Sequence, residues 1–196
     1  MLYFQRMASS TKHLLSVREY LALDRSSPAR NEYFEGEIFG VTGASRRHNL
    51  ITVDLTIELG QQLADRDCEL YAGEMRVKVG DTGLYTYPDI VVVCGNPVFE
   101  DAELDTLVNP TLIIEVLSKS TEVYDRGAKF EFYRALDTLK QVLLIAQHKV
   151  HIESYLRQTD QTWLFSETND LSGSVSLPAI SSSFKVANVY RKVRFD

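Results

Sequence analysis

The stretch Tyr87-Pro88-Asp89-Ile90-Val91-Val92-Val93, read with Leu112-Ile113-Ile114-Glu115-Val116-Leu117, decides the fold of this chain. Each contains a short Ile- and Val-rich run bounded by Pro, Gly or Asn, the pattern of a strand buried on both faces. Each also carries an acid with no packing purpose: Asp89 at the mouth of the first run, Glu115 inside the second. A carboxylate among aliphatic side chains is costly unless it is paired, hydrogen-bonded or bound to a cation. Two of them on neighbouring strands can share one divalent metal. Behind them, 122–136 reads as a helix that presents Arg126, Lys129 and Tyr133 on one face. Two strand acids and a basic helix are the parts of a metal-dependent phosphodiesterase.

Upstream, 84–93 is expected as the strand carrying Asp89, preceded by a turn at 80–83 and a strand at 69–79. Before these, Leu50, Val53, Ile57, Leu59 and Leu63 give 49–64 the period of a helix. Residues 31–42 suggest a hairpin turning at Glu35-Gly36, and 16–23 a helix that Ser16 and Glu19 begin as a capping box. Downstream of Asp89 comes an acidic surface loop, 96–109, with Glu100, Asp101, Glu103 and Asp105. After the basic helix, 141–146 and 150–156 form a hairpin, 162–165 an edge strand, and 177–186 a cover for one end of the sheet. A short helical piece is expected at 187–192. Helices alternate with strands and there is no repeat or linker, so the reading is one α/β (α+β) domain over 7–196, a central mixed sheet flanked by helices, with an N-terminal helix and hairpin. Residues 1–6 contain Leu2-Tyr3-Phe4-Gln5, similar to the remnant of a cleavable tag, and Met7 is expected as the native start.

The chain has 196 residues, 44% of them hydrophobic, enough for one full core. A net charge of −6 argues against a broad non-specific nucleic-acid surface and leaves room for a local basic cleft. No apolar run approaches membrane-spanning length, so no membrane partner is expected. Cys68 and Cys94 show neither metal-ligand spacing nor a disulfide framework, which leaves reduced thiols and a cytoplasmic setting as the expectation. His148 and His151 straddle a hairpin turn, where a solvent-facing pair is the simpler expectation.

The strings Tyr87-Pro88-Asp89-Ile90-Val91-Val92, Ile113-Ile114-Glu115-Val116-Leu117-Ser118-Lys119-Ser120-Thr121, and Asp125-Arg126 with Lys129 and Tyr133-Arg134 together resemble the Uma-two family of restriction-endonuclease-like proteins. Tyr20-Leu21, Asn31-Glu32-Tyr33, Glu35-Gly36-Glu37-Ile38 and Arg47-His48-Asn49 extend the likeness over residues 16–193. The resemblance implies the PD-(D/E)XK nuclease fold and metal-dependent hydrolysis of DNA phosphodiesters. It departs from the broader nuclease signature at Leu117, where a lysine two residues after the second acid would share its strand face. Lys119 has the right parity but lies too far along the strand, so Lys129 is the candidate replacement.

The expected site is therefore Asp89, Glu115 and Lys129 as catalytic residues, with Asp89, Glu115 and Glu74 holding Mg²⁺, or Mn²⁺ as an alternative. Glu37, His48 and Tyr133 are expected to line it. Arg46, Arg47, Lys119 and Arg126 are expected to contact DNA phosphates, Arg46 and Arg47 from a helix N-terminus. Cutting both strands calls for two sites, hence a homodimer. Each acid also has a plainer reading: Asp89 as a turn cap beside Pro88, Glu115 as a charge met by an amide or arginine. The rival function is a nuclease-fold module that binds or regulates nucleic acid without turnover.

Overall fold

In the computed structural model, which describes residues 13–41 and 43–195, Ser16 accepts from the Glu19 amide and Glu19 reaches back to the Ser16 amide. This capping box begins α1 (Val17–Ser26) at the expected point and the helix runs three residues further. The tag-like residues 1–6 lie outside the described residues. Next come β1 (Asn31–Phe34) and β2 (Glu37–Gly40), joined by Glu35 and Gly36 at positive φ (47° and 89°). A two-residue turn with both residues left-handed matches the twist of the flanking strands. The helix expected from residue 49 starts earlier, as α2 (Arg46–Leu63), because the Ser45 hydroxyl accepts from the His48 amide. Its buried face is Ile51, Leu55, Leu59 and Leu63; Val53 and Ile57, expected on that face, are exposed.

The two long strands of the sequence reading are each broken in two. Residues 69–79 become β3 (Cys68–Ala72) and β4 (Arg76–Val79), parted at Gly73, whose φ of +70° leaves the strand region. Residues 84–93 become β5 (Leu84–Thr86) and β6 (Ile90–Cys94), parted at Pro88, which has no amide to give a ladder. Then follow β7 (Thr106–Leu107), β8 (Leu112–Leu117), α3 (Glu122–Tyr124), a π-helical turn (Asp125–Lys129) and α4 (Phe130–Tyr133). The chain closes with β9 (Gln141–Ala146), β10 (Ile152–Arg157), β11 (Trp163–Thr168), β12 (Ser174–Leu177), β13 (Ser182–Lys185) and α5 (Val186–Val189).

The breaks divide the expected single sheet into two. One has the order β2-β1-β5-β4-β7, the other β11-β10-β9-β8-β6-β3, and β12-β13 form a separate hairpin. β8 and β9 run parallel, and the helical segment 122–133 makes the crossover between them. The central strands β6, β8 and β9 of the six-stranded sheet are buried on both faces, as their Ile/Val runs predict. Ile90, Val92, Leu112, Ile114, Leu143 and Ile145 join Ile51, Leu55 and Leu59 of α2 and Val186 and Val189 of α5. Val91, Val93, Ile113, Leu117, Val142 and Leu144 join Val77, Val79 and Leu84 of the other sheet and Tyr133.

Two expectations are corrected here. Cys68 and Cys94 are directly opposite on β3 and β6 and are joined in a disulfide, not held as free thiols. Sequence spacing could not reveal this, because strand register alone brings the two together. The acidic loop is not simply solvated. Asp101 and Asp105 bind Arg25 at 2.7 and 2.8 Å, Glu100 binds Lys78 at 2.8 Å, and Asp105 reaches buried Arg76 at 3.2 Å. Among the described residues no helix is long and apolar enough to cross a membrane.

Candidate active site

The register of β6 against β8 pairs Val91 with Ile113 and Ile90 with Ile114. One step further along the antiparallel pair, Asp89 stands opposite Glu115. Directly opposed residues project to the same face, and this is the face on which Val91 and Ile113 pack against Tyr133. Pro88 ends the ladder at that step, and the Asp89 side chain substitutes for it: Oδ2 accepts from the Val116 amide at 2.7 Å. Oδ1 lies 2.9 Å from His48 Nε2, at the first turn of α2. His48 Nδ1 is buried and finds no hydrogen-bond partner among the described residues.

Lys129 enters the same face from the crossover helix. Its ammonium lies 3.0 Å from Glu115 Oε1, 3.2 Å from Glu32 Oε1 and 3.8 Å from Asp125 Oδ1. Tyr133, one helical turn on, donates to Glu115 Oε1 at 2.5 Å, and the Thr86 hydroxyl donates to Glu32. The π-helical turn adds a residue to the helix at this point, and both Asp125 and Lys129 are buried there. Such single-turn bulges rotate the side chains that follow them relative to an unbroken α-helix.

Four carboxylates, Glu32, Asp89, Glu115 and Asp125, thus meet one ammonium and one imidazole. Burial pushes the Glu115 carboxyl up to about 8 in spite of Lys129 and Tyr133, and Asp125 and Asp89 push in the same direction. Asp125 is raised for the same reason, burial first, with Glu32 and Asp89 adding to it. Burial works against charge on Lys129, but Glu115, Glu32 and Asp125 hold its pKa well above the ordinary ammonium value. Burial first, and then the excess of carboxylates over cations, favour the protonated form of these acids. A hard divalent cation is the other way to balance that excess, and clustered carboxylate oxygens are its preferred ligands. The residues therefore fit a Mg²⁺ or Mn²⁺ ion.

Of the residues expected from sequence, Asp89, Glu115, Lys129, Tyr133 and His48 are brought together by these contacts. Glu74 is not. Its carboxylate is 71% exposed and paired with Arg30, because the break after Ala72 turns it out of the sheet. Glu37 lies on β2, the outer strand of its sheet. Arg126 does not share the face of Lys129. Both belong to the π-helical turn, whose wider winding sends them in different directions, and Arg126 binds Glu153 at 2.9 Å and Glu122 at 3.1 Å. Arg46 and Lys119 are exposed and Arg47 half-buried, Arg46 and Arg47 in the first turn of α2 beside His48. Leu117, at the signature lysine position, is fully buried in the core. Glu32 and Asp125 were missed as site members. Glu32 sits in the Asn31-Glu32-Tyr33 string and Asp125 in the Asp125-Arg126 string, so the signal was present without a geometry to interpret it.

The chain matches a family model described as "Putative restriction endonuclease" (Uma2) over residues 17–188. Two Synechocystis sp. proteins are similar to it. "Uncharacterized protein sll1609" is 35% identical over 161 residues, covering 82% of this chain and 91% of that one. "Uncharacterized protein slr1290" is 34% identical over 181 residues, covering 92% and 94%. Among solved structures, a putative nuclease belonging to DUF820 from Anabaena variabilis superposes with a TM-score of 0.70 at 18% identity. That match covers 90% of this chain and 98% of the other, so the two share a fold.

Proposed function

The chain belongs to the Uma2 family of putative restriction endonucleases, and on that premise we propose that it is a Mg²⁺-dependent DNA endonuclease. One observation carries the proposal: Asp89 and Glu115 stand opposite each other on one sheet face, with buried Lys129 at 3.0 Å from Glu115 and more acids around it than cations. Asp89, Glu115 and Glu32 are the residues that would hold the ion. Mg²⁺, when bound, polarises the scissile phosphate and makes water a better nucleophile. Lys129 then neutralises charge on the phosphate as it reacts, with Tyr133 and Glu115 fixing where its ammonium stands. His48 keeps Asp89 oriented from the N-terminus of α2, where helix amides also favour a phosphate. Arg46, Arg47 and Lys119 contact the DNA backbone. Arg126, committed to two glutamates, does not. A homodimer, with one site for each strand, completes the reading.

A plasmid-cleavage assay in Mg²⁺ and Mn²⁺ tests it. Wild type should nick or linearise the plasmid, EDTA should abolish this, and Glu115→Gln and Asp89→Asn should each lose roughly 10²-fold or more, the scale of one electrostatic contribution. Cutting that persists in Glu115→Gln would refute the site. The second reading, a binding module without turnover, is favoured by one feature: Lys129 is already engaged by Glu115 and Glu32. Metal-independent DNA binding without cleavage would support it.

A further inference from the structure

On the far side of the crossover helix from Lys129, β10 and β11 place a second set of ligand-type side chains. The register sets Glu153 directly opposite Glu167. Like charges directly opposed across a strand pair are destabilising, so this pair calls for positive charge, part of which Arg126 supplies to Glu153 at 2.9 Å. His151, two residues before Glu153 and on its face, brings Nε2 to 2.8 Å from Glu167 Oε2 and 3.7 Å from Glu153 Oε1. One ligand atom from each of the three lies within 4.8 Å of the others. Bonds of roughly 2.0–2.2 Å from a zinc-type ion to imidazole nitrogen and carboxylate oxygen span such a triangle with small side-chain adjustments.

The surroundings are built to hold these groups. The His151 carbonyl accepts from the Ala146 amide and the Tyr190 hydroxyl, which fixes the backbone. Glu153 is buried and held by Arg126 on Oε1 and by the Tyr155 hydroxyl on Oε2. Hydrogen bonds to a ligating carboxylate from outside the coordination sphere orient it in this manner. Arg126 is divided between Glu153 at 2.9 Å and Glu122 at 3.1 Å, and Glu167 is met by the His151 imidazole at 2.8 Å. Glu167, on the edge strand and 56% exposed, leaves the site open to solvent.

We propose that His151, Glu153 and Glu167 form a second metal site, distinct from the carboxylate cluster, that takes a transition dication of the Zn²⁺ type. One imidazole nitrogen with two carboxylate oxygens suits such an ion better than Mg²⁺, which prefers oxygen and keeps its waters. The ion would also compete with Arg126 for Glu153, on the helix that carries Lys129.

The test is Zn²⁺ titration of the full chain by calorimetry, with the imidazole ¹⁵N spectrum as a second readout. Wild type should show a binding event at micromolar or tighter Kd that shifts the His151 Nε2 resonance, apart from any zinc taken up by the carboxylate cluster. His151→Ala and Glu167→Gln should each weaken binding at least tenfold, and Asp89→Asn should leave it unchanged. Glu167→Gln alters an exposed side chain, so its loss of zinc cannot be ascribed to misfolding. The proposal is overturned if wild type binds zinc only at millimolar concentration. It is equally overturned if Asp89→Asn abolishes binding while Glu167→Gln does not. Mg²⁺-dependent plasmid cleavage by Glu167→Gln, measured beside these, reports on the carboxylate cluster separately.

Discussion

Lys129 holds together three carboxylates that would otherwise repel one another, so its replacement should have two opposed effects. Lys129→Ala leaves Glu115, Glu32 and Asp125 facing each other in a buried site. Removing one partner of a buried ion pair costs about 3–5 kcal/mol, and urea denaturation in EDTA should show a loss on that scale. Mg²⁺ should bind more tightly to the same variant, because a competing cation is gone, while cleavage falls roughly 10²-fold. Wild-type cleavage by Lys129→Ala would show that the lysine is structural only. Glu115 sets the pH response. Its carboxyl, pushed up to about 8 from an ordinary 4.5, keeps a proton in the folded chain that the unfolded chain has released across that interval. The folded state then binds more protons, so the contribution of Glu115 to metal-free stability should be full below about pH 4.5 and decline as pH rises towards 8. Urea midpoints across this window should fall in wild type and flatten in Glu115→Gln. A flat wild-type profile would refute the assignment.

At the scale of elements, the crossover helix matters most because its π-helical turn separates the directions of Lys129 and Arg126. Gly127 lies within that turn, exposed, and a Cβ added there meets nothing within 4 Å. Gly127→Ala should therefore raise stability by about 0.5–1 kcal/mol, the usual cost of glycine in a helix interior, and a thermal melt would register it. If the substitution destabilises the chain, the turn relies on glycine for reasons beyond its side-chain space. The Cys68–Cys94 bridge ties edge strand β3 to β6, the strand that begins beside Asp89. Closing a loop of 26 residues contributes about 3.5 kcal/mol by chain entropy. Reduction should lower the denaturation midpoint accordingly, and an equal midpoint in Cys68→Ser would show that the bridge does not form in solution.

For the whole molecule, a net charge of −6 limits how DNA can be held. In the proposed reading, Arg46, Arg47 and Lys119 are the phosphate contacts of one protomer. Each neutralised phosphate adds about −0.9 to the slope of log affinity against log salt, so the slope per protomer should be no steeper than about −3. Fluorescence anisotropy on a short duplex at several salt concentrations measures it. A much steeper slope would reveal a basic surface outside this set.

Composition, the Ile/Val runs and the capping pattern of Ser16 with Glu19 were enough to establish an α+β fold, the strand that follows Asp89, the strand bearing Glu115, and the helical segment bearing Lys129. Those features are local: strand burial and helix starts depend on residues a few positions apart. The tertiary structure decided what depends on register and chain breaks. Pro88 and Gly73 divide two continuous apolar stretches between two sheets, and periodicity cannot show to which sheet each half belongs. Register alone opposes Asp89 to Glu115, Cys68 to Cys94 and Glu153 to Glu167. The inclusion of Glu32 and the exclusion of Glu74 turn on the same fact. Each is a strand-end acid by sequence, but β1 hydrogen-bonds to β5 above the buried lysine, whereas the break after Ala72 points Glu74 at Arg30 and solvent.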